Sequence, residues 1–222
     1  MRYLASSSRV WHAVLALVVL AALVAQVVLL IGGGRDANSG QATASTATSL
    51  VRFVSYFTVQ SNLLVLVAAV SLVLDPARDG RFWRVLRLTG LLGITVTGLV
   101  FGAVLAPFVH HTGIGWWINA GFHYVSPFMA FLGWAVFGPR PRVDGRTVAW
   151  AVAWPIAWVV YTLVRGAVVG WYPYPFLDVD AVGYLIALRN TGFVVVLALV
   201  LLTVFRWLDG RLPARRGEPL PR

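Results

Sequence analysis

Two short segments place hydroxyl, amide and imidazole groups inside apolar sequence. Thr58 and Asn62 are four residues apart in Phe57-Thr58-Val59-Gln60-Ser61-Asn62, and Asn119 and His123 are four apart in Asn119-Ala120-Gly121-Phe122-His123. That spacing puts both members of each pair on one face of a helix. A threonine hydroxyl is a weak nucleophile alone and needs an adjacent base to take its proton. An imidazole titrates near neutrality and suits that task. If the two faces meet across a cavity, Thr58 is the expected nucleophile and His123 the expected base. Asn62 and Asn119 are then pocket residues, with an oxyanion as one target for their donors. Arg165 and Arg189 also lie within apolar runs and join the expected pocket, where either would hold a carboxylate. Each residue has a plainer reading. A membrane threonine often bonds its own i−4 carbonyl. The arginines can snorkel outward or pair with Asp178 and Asp180.

Other chemistries are poorly served. With no cysteine, disulfides, thiol nucleophiles and thiolate metal sites are excluded. His110 and His111 are adjacent but lack carboxylate partners, and His12 and His123 fall near opposite ends of their runs, which does not suit a pair of bis-histidine haems. Neither a metal nor an organic cofactor is expected. Phosphate-loop, dinucleotide, HExxH and GxSxG signatures are missing from the sequence.

The elements that must carry these residues follow from composition. Of 222 residues, 59% are hydrophobic and 12% charged. That excess of apolar surface asks for lipid rather than a larger core. Crossing the hydrocarbon takes about 20 apolar residues as helix. Six runs qualify, at about residues 11–31, 51–74, 84–109, 116–137, 147–169 and 184–206. The expected fold is all-α: a polytopic membrane protein whose single domain, residues 1–222, is a bundle of six transmembrane helices. The first run is longer than the roughly 7–15 apolar residues of a signal peptide and is expected to be retained. Residues 32–50 read as a flexible Gly/Ser/Thr/Ala-rich loop, and residues 213–222 as a disordered tail. Gly98 and Gly102 form a small-xxx-small pair suited to helix packing.

Net charge is +10, and all 18 basic residues are arginine. A strongly basic chain can bind nucleic acid, but here the arginines sit at the ends of apolar runs, so no nucleic-acid partner is expected. Arg2, Arg9, Arg78, Arg81, Arg84, Arg87, Arg140, Arg142, Arg146, Arg206, Arg211, Arg215, Arg216 and Arg222 fall on one side, against Arg35 and Arg52 on the other. The positive-inside rule then puts both termini in the cytoplasm. Trp116, Trp117, Trp171 and Tyr172 fall at the outer interface. Thr58 and His123 each lie seven residues below the outer start of their runs, roughly 10 Å deep at 1.5 Å per residue.

The segments around these residues carry a family resemblance. Tyr56-Phe57-Thr58-Val59-Gln60-Ser61-Asn62-Leu63-Leu64, the stretch Phe122-His123-Tyr124-Val125-Ser126-Pro127 after Asn119, and Tyr172-Pro173-Tyr174-Pro175-Phe176-Leu177-Asp178 before Gly183-Tyr184 resemble signatures of the androgen-induced-gene protein family. With the six-helix plan, the likeness spans helices two to six and points to the bacterial branch labelled Pr6Pr family membrane proteins. Animal members are six-helix hydrolases that cleave fatty-acid esters of hydroxy fatty acids with an intramembrane Thr and His. By that resemblance Thr58 matches the nucleophile and His123 the base. The implied partners are membrane lipids and a lipid ester substrate. A non-enzymatic lipid-binding or transport protein using the same pocket, and a structural membrane partner, are the alternatives.

Overall fold

Backbone inside lipid must satisfy its own hydrogen bonds, and this chain does so with helices. The structure, a computed structural model, describes residues 2–42 and 45–214. Its helices are α1 (Arg2–Ile31), α2 (Thr46–Ser55), α3 (Phe57–Leu74), α4 (Arg81–Val100), α5 (Ile114–Ala120), α6 (Ser126–Phe137), α7 (Gly145–Ala151), α8 (Ala153–Val169), α9 (Val179–Val182) and α10 (Tyr184–Arg211). Six helical stretches are long and apolar enough to cross a membrane: Ser6–Ile31, Phe57–Leu74, Arg81–Phe108, Ile114–Phe137, Gly145–Val169 and Tyr184–Arg211. The protein is therefore an all-α, multi-pass bundle. Six crossings return both chain ends to the same end of the bundle, here the terminal end; the opposite one is the remote end.

The boundaries differ from the sequence reading in instructive ways. α1 begins at Arg2 rather than near residue 11. Residues 32–50 are not simply a flexible loop. Ser45 caps α2 by accepting from the Thr48 N–H at 3.2 Å, and Ser49 and Phe53 bury the helix's inner face. Earlier in the loop, Gln26 accepts from the Ala37 N–H at 3.0 Å and donates to the Arg35 carbonyl at 3.2 Å. Asp36, Ala37 and Asn38 are buried as a result. Helix and loop together close the remote end. A single extended residue, Tyr56 (φ −67°, ψ 134°), separates α2 from α3. Of the tail expected to be disordered, residues 215–222 lie outside the described residues.

Close packing at the centre relies on glycines of α4. A Cβ on Gly93 would come within 2.6 Å of Ser61 Oγ, and one on Gly98 within 2.9 Å of Pro127. The expected pairing with Gly102 is not made, since nothing lies within 4 Å of a Cβ there. α8 attaches differently. Its tryptophans reach across to α2 and α3: Trp158 donates to the Ser55 carbonyl at 3.0 Å, Trp154 donates to Gln60 Oε1 at 3.1 Å, and Trp154 stacks on Phe57 at 4.7 Å. These large side chains hold the α8 backbone away from its neighbours. α10 lies along α4 and against α9 and the Pro175–Leu177 turn.

The terminal end holds the charges. Asp79 takes a two-pronged bond from Arg84 at 2.6 and 2.8 Å. The Arg84 guanidinium holds that carboxyl down at about 2. Arg87 donates to the carbonyls of Gly138 and Pro139. Arg140, fully buried, donates to those of Trp134 and Pro213. Asp209 Oδ2 accepts from the backbone N–H of Arg142 and Val143 at 2.5 and 2.8 Å.

Candidate functional site

Thr58 sits on the first turn of α3, just past the Tyr56 break, so its side chain enters the bundle beneath the remote-end cap. His123 lies in a π-helical turn, Gly121–Val125, that joins α5 to α6. Such wide turns recur at functional sites because they re-aim side chains without ending the helix. A second π turn, Phe101–Leu105, extends α4. The rings of Phe101 and His123 stack at 3.9 Å and 19°. Gly98 lets α4 approach the His123 carbonyl closely enough for that stacking.

Thr58 Oγ1 and His123 Nε2 are 3.4 Å apart, and both side chains are buried. The surrounding bonds fix the proton positions. His123 Nδ1 lies 3.2 Å from the Asn119 carbonyl, which can only accept, so Nδ1 carries the hydrogen. Nε2 is then a bare lone pair, and the Thr58 hydroxyl donates to it. Tyr174 completes the chain. Its hydroxyl oxygen accepts from the Thr58 backbone N–H at 3.2 Å and its proton is given to Thr58 Oγ1 at 3.1 Å. Burial pushes the Tyr174 hydroxyl up to about 12, so it stays protonated at neutral pH. The threonine oxygen thus has a donor on one side and a base on the other. At 3.4 Å the contact is longer than a strong hydrogen bond.

The two asparagines lie beside this chain but face elsewhere. Asn62 Nδ2 donates to the carbonyls of Thr58 and Phe122 at 2.9 and 3.4 Å, and its Oδ1 accepts from Ser126 Oγ at 2.7 Å. It staples α3 to the π turn and α6. Asn119 donates to the Ala37 carbonyl at 3.0 Å, and His111 Nε2 donates to the same oxygen at 2.9 Å. They hold the loop over the site. Asn62 has both N–H groups on backbone carbonyls, which leaves it no donor for an oxyanion.

The arginines are not brought to Thr58. Arg165 lies over the Trp171 ring at 4.9 Å, and Arg52 over the same ring at 5.0 Å. Arg189 is exposed and donates to Asn190 Oδ1 at 3.3 Å. Among the described residues neither pairs with Asp178 or Asp180. Asp178 is instead the cap of α9, accepting from the N–H groups of Asp180 and Ala181. Tyr172, expected at the interface, is buried against Gly166, where a Cβ would come within 2.0 Å of its ring.

Tyr174 is the residue that spacing arguments overlook, because it comes from a loop with no periodicity. The usable signal was composition: Trp171-Tyr172-Pro173-Tyr174-Pro175-Phe176 is too aromatic for a loop left in water. Prolines on both sides stiffen it, and Tyr56, Trp158 and Phe176 pack its ring at 5.5–5.9 Å.

Thr58, His123 and Tyr174 line the polar end of a cavity of about 390 Å³. Its other walls, from α4, α8 and α10, are almost wholly aliphatic and aromatic. Two further hydroxyls line it: Thr191, which donates to the Ala187 carbonyl at 2.9 Å, and Thr97, which is buried without a hydrogen-bond partner. Among the described residues no cluster of three or more histidines and carboxylates could hold a metal ion. No protein-family model, curated protein or solved structure matches the chain.

Proposed function

We propose that this protein is an intramembrane threonine hydrolase of lipid esters. The observation that carries the reading is the directed chain Tyr174–Thr58–His123–Asn119 opening into an apolar cavity. The segment resemblance to the androgen-induced-gene protein family supports it, and points to fatty-acid esters of hydroxy fatty acids or similar lipids as substrate.

Thr58 Oγ1 attacks the ester carbonyl while its proton moves to His123 Nε2. The Asn119 carbonyl, bonded to Nδ1–H, steadies the imidazolium that forms. As the tetrahedral intermediate collapses, the C–O bond to the alcohol breaks and His123 protonates the departing alkoxide. An acyl-threonine remains. Water then gives a proton to His123 Nε2 and attacks the acyl carbon, and the proton returns to Thr58 Oγ1 as the fatty acid leaves. Tyr174 supplies the oxyanion donor that Asn62 cannot. Its hydroxyl already contacts the attacking oxygen, which shares a carbon with the oxyanion, so a small rotation carries the donor across. Preorganised donors of this kind are usually a large share of acyl-transfer catalysis.

The arginine distribution supports a cell-membrane location with both termini cytoplasmic, which sets the site toward the outer leaflet. Binding of a lipid without turnover is the second reading, favoured by the apolar walls and the 3.4 Å Thr58–His123 separation. A fluorophosphonate probe separates the two. Labelling of the wild type that disappears in Thr58→Ala supports the hydrolase. A properly folded wild type that resists the probe and leaves long-chain esters intact leaves the cavity to lipid binding.

A further inference from the structure

The cavity is not sealed by protein along its length. Ile156 and Val160 of α8, and Val195 and Leu199 of α10, line it and are also 58%, 56%, 44% and 53% exposed. A residue that faces both a cavity and the outside marks its mouth. All four are aliphatic, and they come from the two helices between which the packing is sparse. α8 is held off by its tryptophans, and α10 rests on α4 and the turn before α9. The depth of the mouth follows from helix rise. Counted from Gly145 and Tyr184, where their spans begin, each pair lies about 16 and 22 Å in at ~1.5 Å per residue. That is the middle of a hydrocarbon core about 30 Å thick. The mouth opens sideways into acyl chains, not into water or headgroups.

We propose that this cleft is an acyl-chain site: a lipid enters sideways between α8 and α10, its chain lying against Val96 and Val100 of α4 and its ester end directed at Thr58. The ester placement rests on the hydrolase reading, whereas the chain placement stands on the cleft alone. At mid-bilayer the abundant occupant is a flexible hydrocarbon chain, and a largely aliphatic slot offers a charged ligand no countercharge. The unpartnered Thr97 hydroxyl lies on the same wall, one residue past Val96. Thr191 of α10 also lines the slot but spends its hydroxyl on the Ala187 carbonyl, so Thr97 gives the slot an unspent hydroxyl, which suits a chain that carries an oxygen.

The test uses full-length protein in phosphatidylcholine vesicles containing a phosphatidylcholine with a diazirine near the end of one acyl chain. After photolysis, peptide mass spectrometry maps the adducts. Wild type and Thr58→Ala are both expected to carry adducts on Val96, which is buried on the wall of the cleft, or on Val100 one turn along it. Val195→Trp, and separately Ile156→Trp, should fill the mouth and remove those adducts. Val196→Trp, on an exposed residue outside the lining, should leave them. Melting temperature reports whether each variant is folded. Adducts confined to outward residues such as Val196 would overturn the proposal. So would back-wall labelling that persists in both mouth-filling variants, or a second copy of the chain covering the mouth, seen as Leu199→Cys cross-links with the back wall unlabelled. Wild-type ester turnover by Thr58→Ala alongside the expected adducts would remove the hydrolase reading and leave the chain site standing.

Discussion

His12 and His123 make the same local bond and meet different surroundings. Each is buried on a membrane helix, and each Nδ1 lies against the carbonyl four residues earlier, Ser8 at 2.7 Å and Asn119 at 3.2 Å. That bond fixes the tautomer and turns Nε2 away from the helix. At the terminal end His12 faces a pocket of about 30 Å³ beside Arg87, whose guanidinium is already committed to two backbone carbonyls. At the remote end His123 faces a hydroxyl with a second donor behind it, at the edge of a 390 Å³ cavity. A buried histidine on its own says little. What separates a structural group from a reactive one is an unspent lone pair, a proton to accept and room for a substrate.

The largest expected effects come from the pair itself. Thr58→Ala and His123→Ala should each lower long-chain ester hydrolysis by at least about 10³-fold, and the double variant should be no worse, because groups that act as a unit are not additive. His12→Ala, the matched change at the other end, should leave turnover unchanged. Parallel losses at both histidines would break the comparison.

Tyr174→Phe comes next. It keeps the ring packing and removes one hydroxyl. Loss of one oxyanion donor should lower kcat by about 10²-fold with KM little changed. Steady-state kinetics on a variant of wild-type melting temperature checks this, and an unchanged kcat would limit Tyr174 to holding Thr58.

Stability changes should sharpen the contrast at smaller scale. Asp209→Ala leaves the N–H groups of Arg142 and Val143 without their acceptor, at a cost of about 1–3 kcal/mol. Denaturant unfolding should show that loss while probe labelling of Thr58 is unaffected. Asn62→Ala should cost a similar amount and also slow labelling, because Asn62 ties the Thr58 turn to the His123 turn.

The smallest effect belongs to the exposed Asp79–Arg84 pair. Asp79 is held at about 2, below its ordinary 3.8. Its contribution is therefore complete above about pH 4 and lost as pH falls through 2, and for an exposed pair it stays under about 1 kcal/mol. Asp79→Asn should remove that acid-dependent step from the unfolding profile and leave hydrolysis alone.

Much of this arrangement is legible in sequence. Long apolar runs give the six crossings because lipid leaves the backbone few options. The four-residue spacings survive folding because helices convert residue number into position, whereas the equal depths do not: the break at Tyr56 starts the span at Phe57, one residue before Thr58, while the span carrying His123 starts at Ile114. Features set by tertiary contact are less legible. The Ser/Thr/Ala-rich composition of residues 45–50 hides the start of α2, since only the Ser45 cap and the burial of Ser49 and Phe53 make it a helix. Arg165 reads as a pocket charge because sequence does not show the Trp171 ring it settles on. Gly102 fits a packing pattern, yet among the described residues nothing lies within 4 Å of a Cβ placed there. Tyr174 reaches Thr58 from a loop, where no period gives its position.

The acyl-enzyme itself is the most direct test of the central claim. Wild-type protein in vesicles would be mixed with a long-chain ester, quenched in acid within one turnover and digested for mass spectrometry. The account predicts an acyl group on the peptide containing Thr58, assigned to its hydroxyl and missing from His123→Ala. Steady hydrolysis by wild type with Thr58 unmodified at every time point, and undiminished in Thr58→Ala, would contradict it.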